Sequence, residues 1–202
     1  YGEENKPPFT ETCNLNPLNP YAETKAVIEN LLKNIFDLNK EKWKVCILRY
    51  FNPIGAHESS IIGEDPKGVP DNLFPYICKV ANGELGNLNV FGSDWPTEDG
   101  TCIRDFIHIM DLVDGHIKTL EYLSSNKHCS ITLNLGTGKG TSVLDLIKAF
   151  EKVNKIKLSY SFEKRRNGDV PVIYADPLLA EELIGWKAKK SINDMCLDGW
   201  NW

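Results

Sequence analysis

No apolar run in the sequence approaches the roughly 18 residues that a membrane-spanning helix requires, so no such helix is expected. Basic residues are not in excess. The 23 Lys and Arg against 28 Asp and Glu leave a formal net charge of -5, which argues against a nucleic-acid-binding face. A phosphate ligand survives that argument, because a few placed arginines hold one. There is no C-x-x-C pair. The six cysteines (Cys13, Cys46, Cys78, Cys102, Cys129 and Cys196) are scattered, whereas zinc sites cluster their ligands and disulfide-dense secreted domains are smaller. Idle thiols in a reducing cytoplasm are the expectation. No internal repeat or low-complexity segment is present. Residues 1–5 hold no initiating Met, no basic n-region and no apolar h-region. They read as a chain entered partway along rather than as a signal peptide.

What is present has the balance of a soluble globular protein. The 202 residues are 42% hydrophobic and 25% charged, enough to bury a core in one domain or two small ones. Residues 1–20 are rich in Pro and Asn and are expected to be irregular. Val27, Ile28, Leu31, Leu32, Ile35 and Phe36 then fall at helical spacing, with Pro20 placed for a first turn. The run from Val45 to Phe51 suits a strand buried on both faces of a parallel sheet. Residues 54–69 read as a loop and 71–82 as a short helix. Strands are predicted at Leu88–Phe91, Cys102–Ile109, Ile131–Leu135 and Leu158–Phe162. Helices are predicted at Asp111–Leu123, Ser142–Val153, Leu178–Leu183 and Ile192–Trp200. The class is α/β, with a domain boundary expected near Pro53–His57.

Several constellations invite a chemical reading. Tyr21 and Lys25 form Y-x-x-x-K, a spacing that puts both side chains on one helix face. An ordinary tyrosine, with a pKa of about 10, is a poor base at neutral pH, and a fixed positive charge nearby favours the phenolate. The bland alternative is a surface helix start. A second instance, Tyr160 and Lys164, lies on a predicted strand and reads as structural. Gly136-Thr137-Gly138-Lys139-Gly140 lies between a strand and a helix, but fits neither G-x-x-x-x-G-K-[ST] nor G-x-G-x-x-G. It reads as a tight turn, with Thr141 or Ser142 capping the next helix. His108, Asp111, Asp114 and His116 resemble a metal cluster, but acidic residues also suit a helix first turn. Arg165, Arg166 and Asp169 form a basic turn suited to phosphate and sugar hydroxyls, or simply an exposed charged loop. Arg104, inside an apolar strand, needs an anionic partner, either Asp105 or a ligand phosphate.

Read in order, the segments are more specific than any one motif. Pro20-Tyr21-Ala22-Glu23-Thr24-Lys25 is followed by Leu48-Arg49-Tyr50-Phe51-Asn52-Pro53-Ile54-Gly55-Ala56-His57. Next come Gly63-Glu64-Asp65-Pro66 with the following stretch to Leu73, and Pro96-Thr97-Glu98-Asp99-Gly100-Thr101. Arg104-Asp105-Phe106-Ile107-His108, Asn134-Leu135-Gly136-Thr137-Gly138 and Arg165-Arg166-Asn167-Gly168-Asp169 complete the series. It resembles the UDP-glucose (UDP-galactose) 4-epimerases, extended short-chain dehydrogenase/reductases, across essentially the whole chain.

The resemblance implies the end of an NAD-binding Rossmann-type parallel-sheet domain at 1–53. Residues 54–202 would form mainly a smaller substrate-binding domain, with some segments returning to the first sheet. It implies interconversion of UDP-glucose and UDP-galactose through transient oxidation at C4. Tyr21 would be the base, and Lys25 would hold the nicotinamide ribose. Tyr50 and Phe51 match positions beside the nicotinamide. Asn52, Asn72, Leu73, Asn89 and Phe91 match substrate contacts, the last two near the uracil. Arg104 and Arg166 match diphosphate ligands, and Asp169 a ribose contact. No metal is implied. A UDP-hexose is the implied partner, and a homodimer the implied assembly, with the first helix the place to look for its interface.

Two departures stand out. Family members begin with a strand, a Gly-rich turn and a helix that hold the NAD pyrophosphate, followed later by a catalytic Ser or Thr. Neither feature precedes Tyr1, so the chain resembles a fragment, also clipped after Trp202, and is expected to be inactive alone. Ile173 matches a position where the family carries a large aromatic or a small residue, which leaves acceptance of N-acetylated sugars open. A related nucleotide-sugar dehydratase or decarboxylase, and a non-catalytic sugar-nucleotide-binding module, are the rival readings. Retention of both Tyr21 and Lys25 speaks against the module.

Overall fold

The computed structural model describes residues 1–2, 5–126 and 129–202. Of the irregular segment expected at 1–20, residues 3 and 4 lie outside the described residues. The elements run in chain order as α1 (Pro20–Leu38), β1 (Val45–Tyr50), β2 (Asn52–Ile54), α2 (Leu73–Ala81) and β3 (Leu88–Phe91). There follow β4 (Ile103–Arg104), β5 (Phe106–His108), α3 (Ile109–Ser125), β6 (Ser130–Leu135) and β7 (Thr141–Ser142). The last are α4 (Val143–Asn154), β8 (Tyr160–Glu163), β9 (Val172–Ile173), α5 (Leu178–Ile184) and α6 (Ile192–Asn201). This is an α/β chain whose strand pairs are mostly parallel. No helix among the described residues is long and apolar enough to cross a membrane.

The local chemistry sets the helix starts. The Asn19 side chain accepts from Ala22 N at 2.8 Å, and Pro20 supplies a fixed φ where no N–H is needed. Ser142 caps α4 by accepting from Asp145 N at 3.0 Å, and Ser191 closes a capping box with Asp194 on α6. α3 begins two residues before its predicted start, because His108 Nδ1 accepts from Met110 N and caps it.

β1 pairs in parallel with β6, Val45 opposite Ser130 through Tyr50 opposite Leu135. One β1 face carries Val45, Ile47 and Arg49 toward α1, where Arg49 meets Glu29. The other carries Cys46 and Leu48 into a core of Ile107, Leu112, Leu133, Leu135, Ala180 and Trp186. The strand is therefore covered from both sides, although Tyr50 at its end is exposed. A second core gathers Ile54, Phe74, Ile77, Leu88, Val90, Phe106, Leu146, Ile147, Phe150 and Met195 from β2, α2, β3, β5, α4 and α6. Phe150 anchors it, with its ring edge-on to Phe74 at 6.1 Å and to Trp200 at 5.6 Å. β5 divides the two cores, sending Phe106 into one and Ile107 into the other, as neighbours on a strand must.

The strand expected over Cys102–Ile109 is broken at Asp105 into β4 and β5. At the break the Asp105 side chain enters the neighbouring glycine turn, where its carboxylate accepts from Thr137 N, Gly138 N and Ala175 N, while its backbone oxygen accepts from Asn52 N. β4 instead pairs with β7 and with β9, a two-residue strand that the local sequence does not announce. The strand predicted from Leu158 begins at Tyr160, and the 54–69 segment forms no helix or strand beyond Ile54.

Candidate functional site

The short connection 39–44 joins the C-terminal end of α1 to the start of β1, so the helix runs back along the strand. Glu29, midway along α1, meets Arg49 near the end of β1. The start of α1 therefore projects beyond the carboxyl ends of the parallel β1 and β6, where ligands of open α/β sheets bind. Tyr21 and Lys25 stand there. Lys25 Nζ lies 5.0 Å from the centre of the Tyr21 ring, the same-face neighbourhood that their spacing requires. Tyr21 is 71% exposed, so the described residues build no dry wall around the phenol. Lys25 makes no ion pair among the described residues, which leaves its charge available.

A second group assembles from β3, β4, β9 and the basic turn. Arg104 Nη1 donates to Ile103 O and Val170 O at 2.9 Å each, and its Nη2 lies 3.7 Å from Asp169 Oδ1. Arg166 Nε donates to Asp169 Oδ2 at 3.1 Å, and its guanidinium lies 4.7 Å above the Phe91 ring. Asn89 shares the Phe91 face of β3, two residues back. Ile173 lies opposite Arg104 in the β4–β9 register. Two guanidiniums share one carboxylate, which leaves a positive balance suited to phosphate. Arg165 goes elsewhere, bonding Asp94 and lying 4.0 Å above Trp95.

The two groups meet at Gly168. With φ of +82° it occupies the left-handed region. A Cβ there would lie 3.9 Å from Leu18 O and 4.0 Å from Asn19 Nδ2, so the basic turn abuts the cap of α1. Where β1 passes into β2, the exposed Tyr50 lies 6.0 Å from His116, and Phe51 stacks on Tyr1 at 6.3 Å. Asn52 N donates to Asp105 O at 2.9 Å. Asn72 and Leu73 are not drawn into this group by any hydrogen bond, ion pair or ring contact among the described residues. Asn72 precedes α2 without a side-chain cap, and Leu73 packs on the second core.

Asp105 is not the partner of Arg104. Adjacent strand residues point to opposite faces, and the Asp105 carboxylate fills the glycine turn on the far side. It accepts from Thr137 N at 2.8 Å and from Gly138 N and Ala175 N at 3.1 Å each. A Cβ at Gly136 would meet Asp105 Oδ2 at 2.6 Å, which is why glycine stands there. Burial pushes the Asp105 carboxyl above its ordinary value, against the pull of the Thr137, Ala175 and Gly138 bonds. The Gly136–Gly140 turn thus holds a carboxylate of its own chain.

The residues that resembled a metal cluster are occupied otherwise. Asp111 Oδ2 accepts from Lys189 N and Lys190 N, and His116 Nδ1 lies 2.9 Å from Leu112 O. Among the described residues no three His, Cys, Asp or Glu side chains gather as metal ligands do. Tyr160 lies on β8 and Lys164 follows it, so that pair has no helix face to share. All six cysteines are free. Burial pushes the Cys46, Cys78 and Cys196 thiols up to about 12, which leaves them protonated and inert.

Two cavities of about 390 Å³ lie elsewhere: one between α2, α6 and residues 64–66, the other between residues 93–94 and 162–165. Of the candidate residues only Arg165 lines one of them, the second; the others form an open face. The sequence reading missed Glu29 and Arg49, and only the repeat of four from Tyr21 to Lys25 to Glu29 could have pointed to the first.

A family model described as GDP-mannose 4,6 dehydratase matches residues 1–198. Over 202 residues the chain is 48% identical to a UDP-glucose 4-epimerase of Bacillus subtilis, covering all of this chain and 59% of that protein. It is 49% identical over 203 residues to a bifunctional UDP-glucose and UDP-xylose 4-epimerase of Arabidopsis thaliana, covering 58% of it. A UDP-glucose 4-epimerase of Stenotrophomonas maltophila, solved with NAD and formylated UDP-arabinopyranose, superposes with a TM-score of 0.96. It is 45% identical, and the match covers 100% of this chain and 59% of that one. A Bifidobacterium longum UDP-glucose 4-epimerase with NAD+ and UDP superposes at 0.93 with 44% identity, over 98% of this chain and 58% of that one. The chain therefore spans under two thirds of the length of these relatives. It belongs to the GDP-mannose 4,6 dehydratase family and is similar throughout to UDP-glucose 4-epimerases.

Proposed function

We propose that the chain carries the Tyr–Lys pair and the nucleotide-sugar face of an NAD-dependent enzyme that interconverts UDP-glucose and UDP-galactose. The activity is assigned to the protein at the full length of its relatives. The observation that carries the reading is the close approach at Gly168, where an added Cβ would lie 3.9 Å from Leu18 O. It brings the exposed Tyr21–Lys25 helix start against the turn that holds Arg166 and Asp169. A reacting sugar and its diphosphate need those two chemistries side by side. Two cores, divided at β5, support assigning 1–53 to a cofactor-binding unit and 54–202 mainly to a substrate-binding unit. β6, α3 and α5 return to the first.

The residues fit a nicotinamide nucleotide: Lys25, with no ion pair among the described residues, offers an ammonium beside Tyr21 and beyond the carboxyl end of β1. NAD, when bound, supplies a reversible acceptor for the hydride of C4. Tyr21 takes the proton of the 4-hydroxyl and gives it back, a transfer that general-base catalysis makes about 10²–10⁴ times faster. Lys25 holds the nicotinamide ribose and sets a positive charge beside the phenol. Arg104 and Arg166 bind the diphosphate, Asp169 the ribose, and Asn89 and Phe91 the uracil. Phe51, Asn52, Asn72, Leu73 and Ile173 border the nicotinamide and the hexose. The enzyme works as a homodimer in the cytoplasm.

The test is conversion of UDP-galactose to UDP-glucose by the protein at full length, with Tyr21→Phe alongside. Conversion by the wild type and its near-loss in the variant support the reading. UDP-sugar binding without conversion, unchanged by Tyr21→Phe, would make the protein a binding module. Loss of water from the sugar would make it a dehydratase, the activity its family is named for.

A further inference from the structure

Of the nineteen residues of α1, the buried side chain is a carboxylate, Glu29, while Val27, Ile28 and Leu31 stand about half exposed. An amphipathic helix ordinarily seats its apolar stripe on the sheet. This one is seated by an ion pair. Arg49 Nε donates to Glu29 Oε1 at 2.8 Å and Nη2 to Oε2 at 2.6 Å, a two-pronged fork with both side chains nearly covered.

The rest of the Arg49 guanidinium is also engaged. Nη1 donates to the Tyr1 hydroxyl at 3.0 Å and to Glu11 O at 3.1 Å. Tyr1 in turn donates to Asn134 Oδ1, and Asn134 lies opposite Arg49 in the β1–β6 register. Asn134 N donates to Glu11 Oε1 at 2.6 Å. One arginine therefore ties α1, Tyr1, Glu11 and the paired strands β1 and β6 together. Burial works against its charge, yet the bonds from Glu29 and Tyr1 outweigh that and hold its pKa above the ordinary value.

Tyr21, Lys25 and Glu29 follow one another at intervals of four. At about 100° per residue each step turns about 40°, so all three lie within one side of the helix. Glu29 sits about 12 Å down the axis from Tyr21. Apolar packing resists sliding and rotation only softly, whereas a planar fork has one good geometry. A rotation of α1 by about 20° would carry a side chain at about 6 Å radius through about 2 Å. A displacement of 1 Å is enough to cost about 10²-fold in rate.

We propose that Glu29 and Arg49 are positioning residues: their fork fixes the rotation of α1 about its axis, and with it the direction in which Tyr21 and Lys25 face the reacting sugar. The proposal rests on the epimerase reading. It accounts for a buried ion pair where an apolar contact would hold the helix as firmly, since such pairs contribute little net stability but specify geometry.

The experiment uses the protein at full length and compares Glu29→Gln and Arg49→Lys with wild type and Tyr21→Phe. Glu29→Gln keeps the size and loses the charged fork; Arg49→Lys keeps the charge and loses the fork. Turnover of UDP-galactose, its KM, the Kd for UDP and the melting temperature are measured. The expected result is a fall in kcat of about 10²-fold in both variants. KM and the UDP Kd stay within about threefold, so the loss falls on turnover and not on binding. Wild-type kcat per folded molecule in either variant would overturn the proposal, because the pair would then be structural only. Failure of both variants to fold would overturn it in the same way. Loss of turnover in Tyr21→Phe, with Glu29→Gln unaffected, removes the positioning role and leaves the epimerase intact. A wild type that converts nothing removes the epimerase reading first.

Discussion

Arg104 Nη2 lies 3.7 Å from Asp169 Oδ1, too far for a closed fork and near enough to hold the guanidinium in line. Its Nη1 is already fixed by Ile103 O and Val170 O. The remaining N–H capacity is therefore held ready for an anion with little ordering left to do. Charge-assisted bonds of this kind are worth about 1.5–3 kcal/mol. Arg104→Lys keeps the charge but loses the planar fork that points at both carbonyls and an anion at once. It is expected to weaken UDP binding by about 10–100-fold in a calorimetric titration, with the melting temperature little changed. An unaltered UDP affinity would take Arg104 out of the diphosphate site.

How much of this was legible depends on where the signal was stored. α1, β1, α2, β3 and α4 were readable because apolar periodicity, caps and Pro20 are local properties of the chain. β9 has two residues, and its pairing with β4 comes from distant sequence, so nothing local marks it. The break at Asp105 was hidden for the same reason: its partners are Thr137, Gly138 and Ala175. In the site, the Tyr21–Lys25 spacing and the Arg166–Asp169 turn were visible as patterns of residue types. Glu29 was not, because a carboxylate on an amphipathic helix reads as solvent-facing until Arg49 is placed beside it.

His108 gives the fold a pH dependence whose sign can be worked out. Its ring is fully buried; Nδ1 accepts from Met110 N, so Nε2 carries the proton and faces Asp198 Oδ2 at 3.2 Å. Lys190 Nζ lies 3.3 Å from the same carboxylate, and Asp111 is the other nearby charge. Burial dominates and lowers the His108 pKa below its ordinary 6.5, with Asp198 opposing and Lys190 assisting. Below that value the unfolded chain binds a proton that the folded one refuses, so stability is full above about 6.5 and declines as pH falls through it. The melting temperature should drop more steeply between pH 7.5 and 5.5 in wild type than in His108→Gln. Parallel curves would assign the acid sensitivity to other groups.

Trp186 tests the first core. It is fully buried, and its Nε1 donates to Asp111 O at 2.9 Å. Trp186→Phe removes ring volume and the indole bond that Asp111 O accepts beside its place in α3, a loss of about 2–3 kcal/mol. At this chain length that corresponds to a fall in melting temperature of roughly 5–10 °C. A fall of a degree or less would mean that water or a neighbour replaces the indole bond.

Ile173 offers the sharpest test of where the sugar lies. It stands half-buried opposite Arg104 in the β4–β9 register, on a two-residue strand that has little freedom to move aside. If the hexose packs there, side-chain bulk at 173 decides how much room its C2 substituent has. Ile173→Ala is expected to raise kcat/KM for UDP-N-acetylglucosamine relative to UDP-glucose, and Ile173→Tyr to lower it. Each change should be about 10–100-fold, the scale of one or two methylene-sized groups in a pocket. Both ratios should move while UDP affinity stays constant, because the nucleotide is held by Arg104 and Arg166 rather than by the isoleucine. A ratio that moves in neither variant would place the sugar away from β9, and the face would then be read from Asn72 and Leu73 at the start of α2 instead.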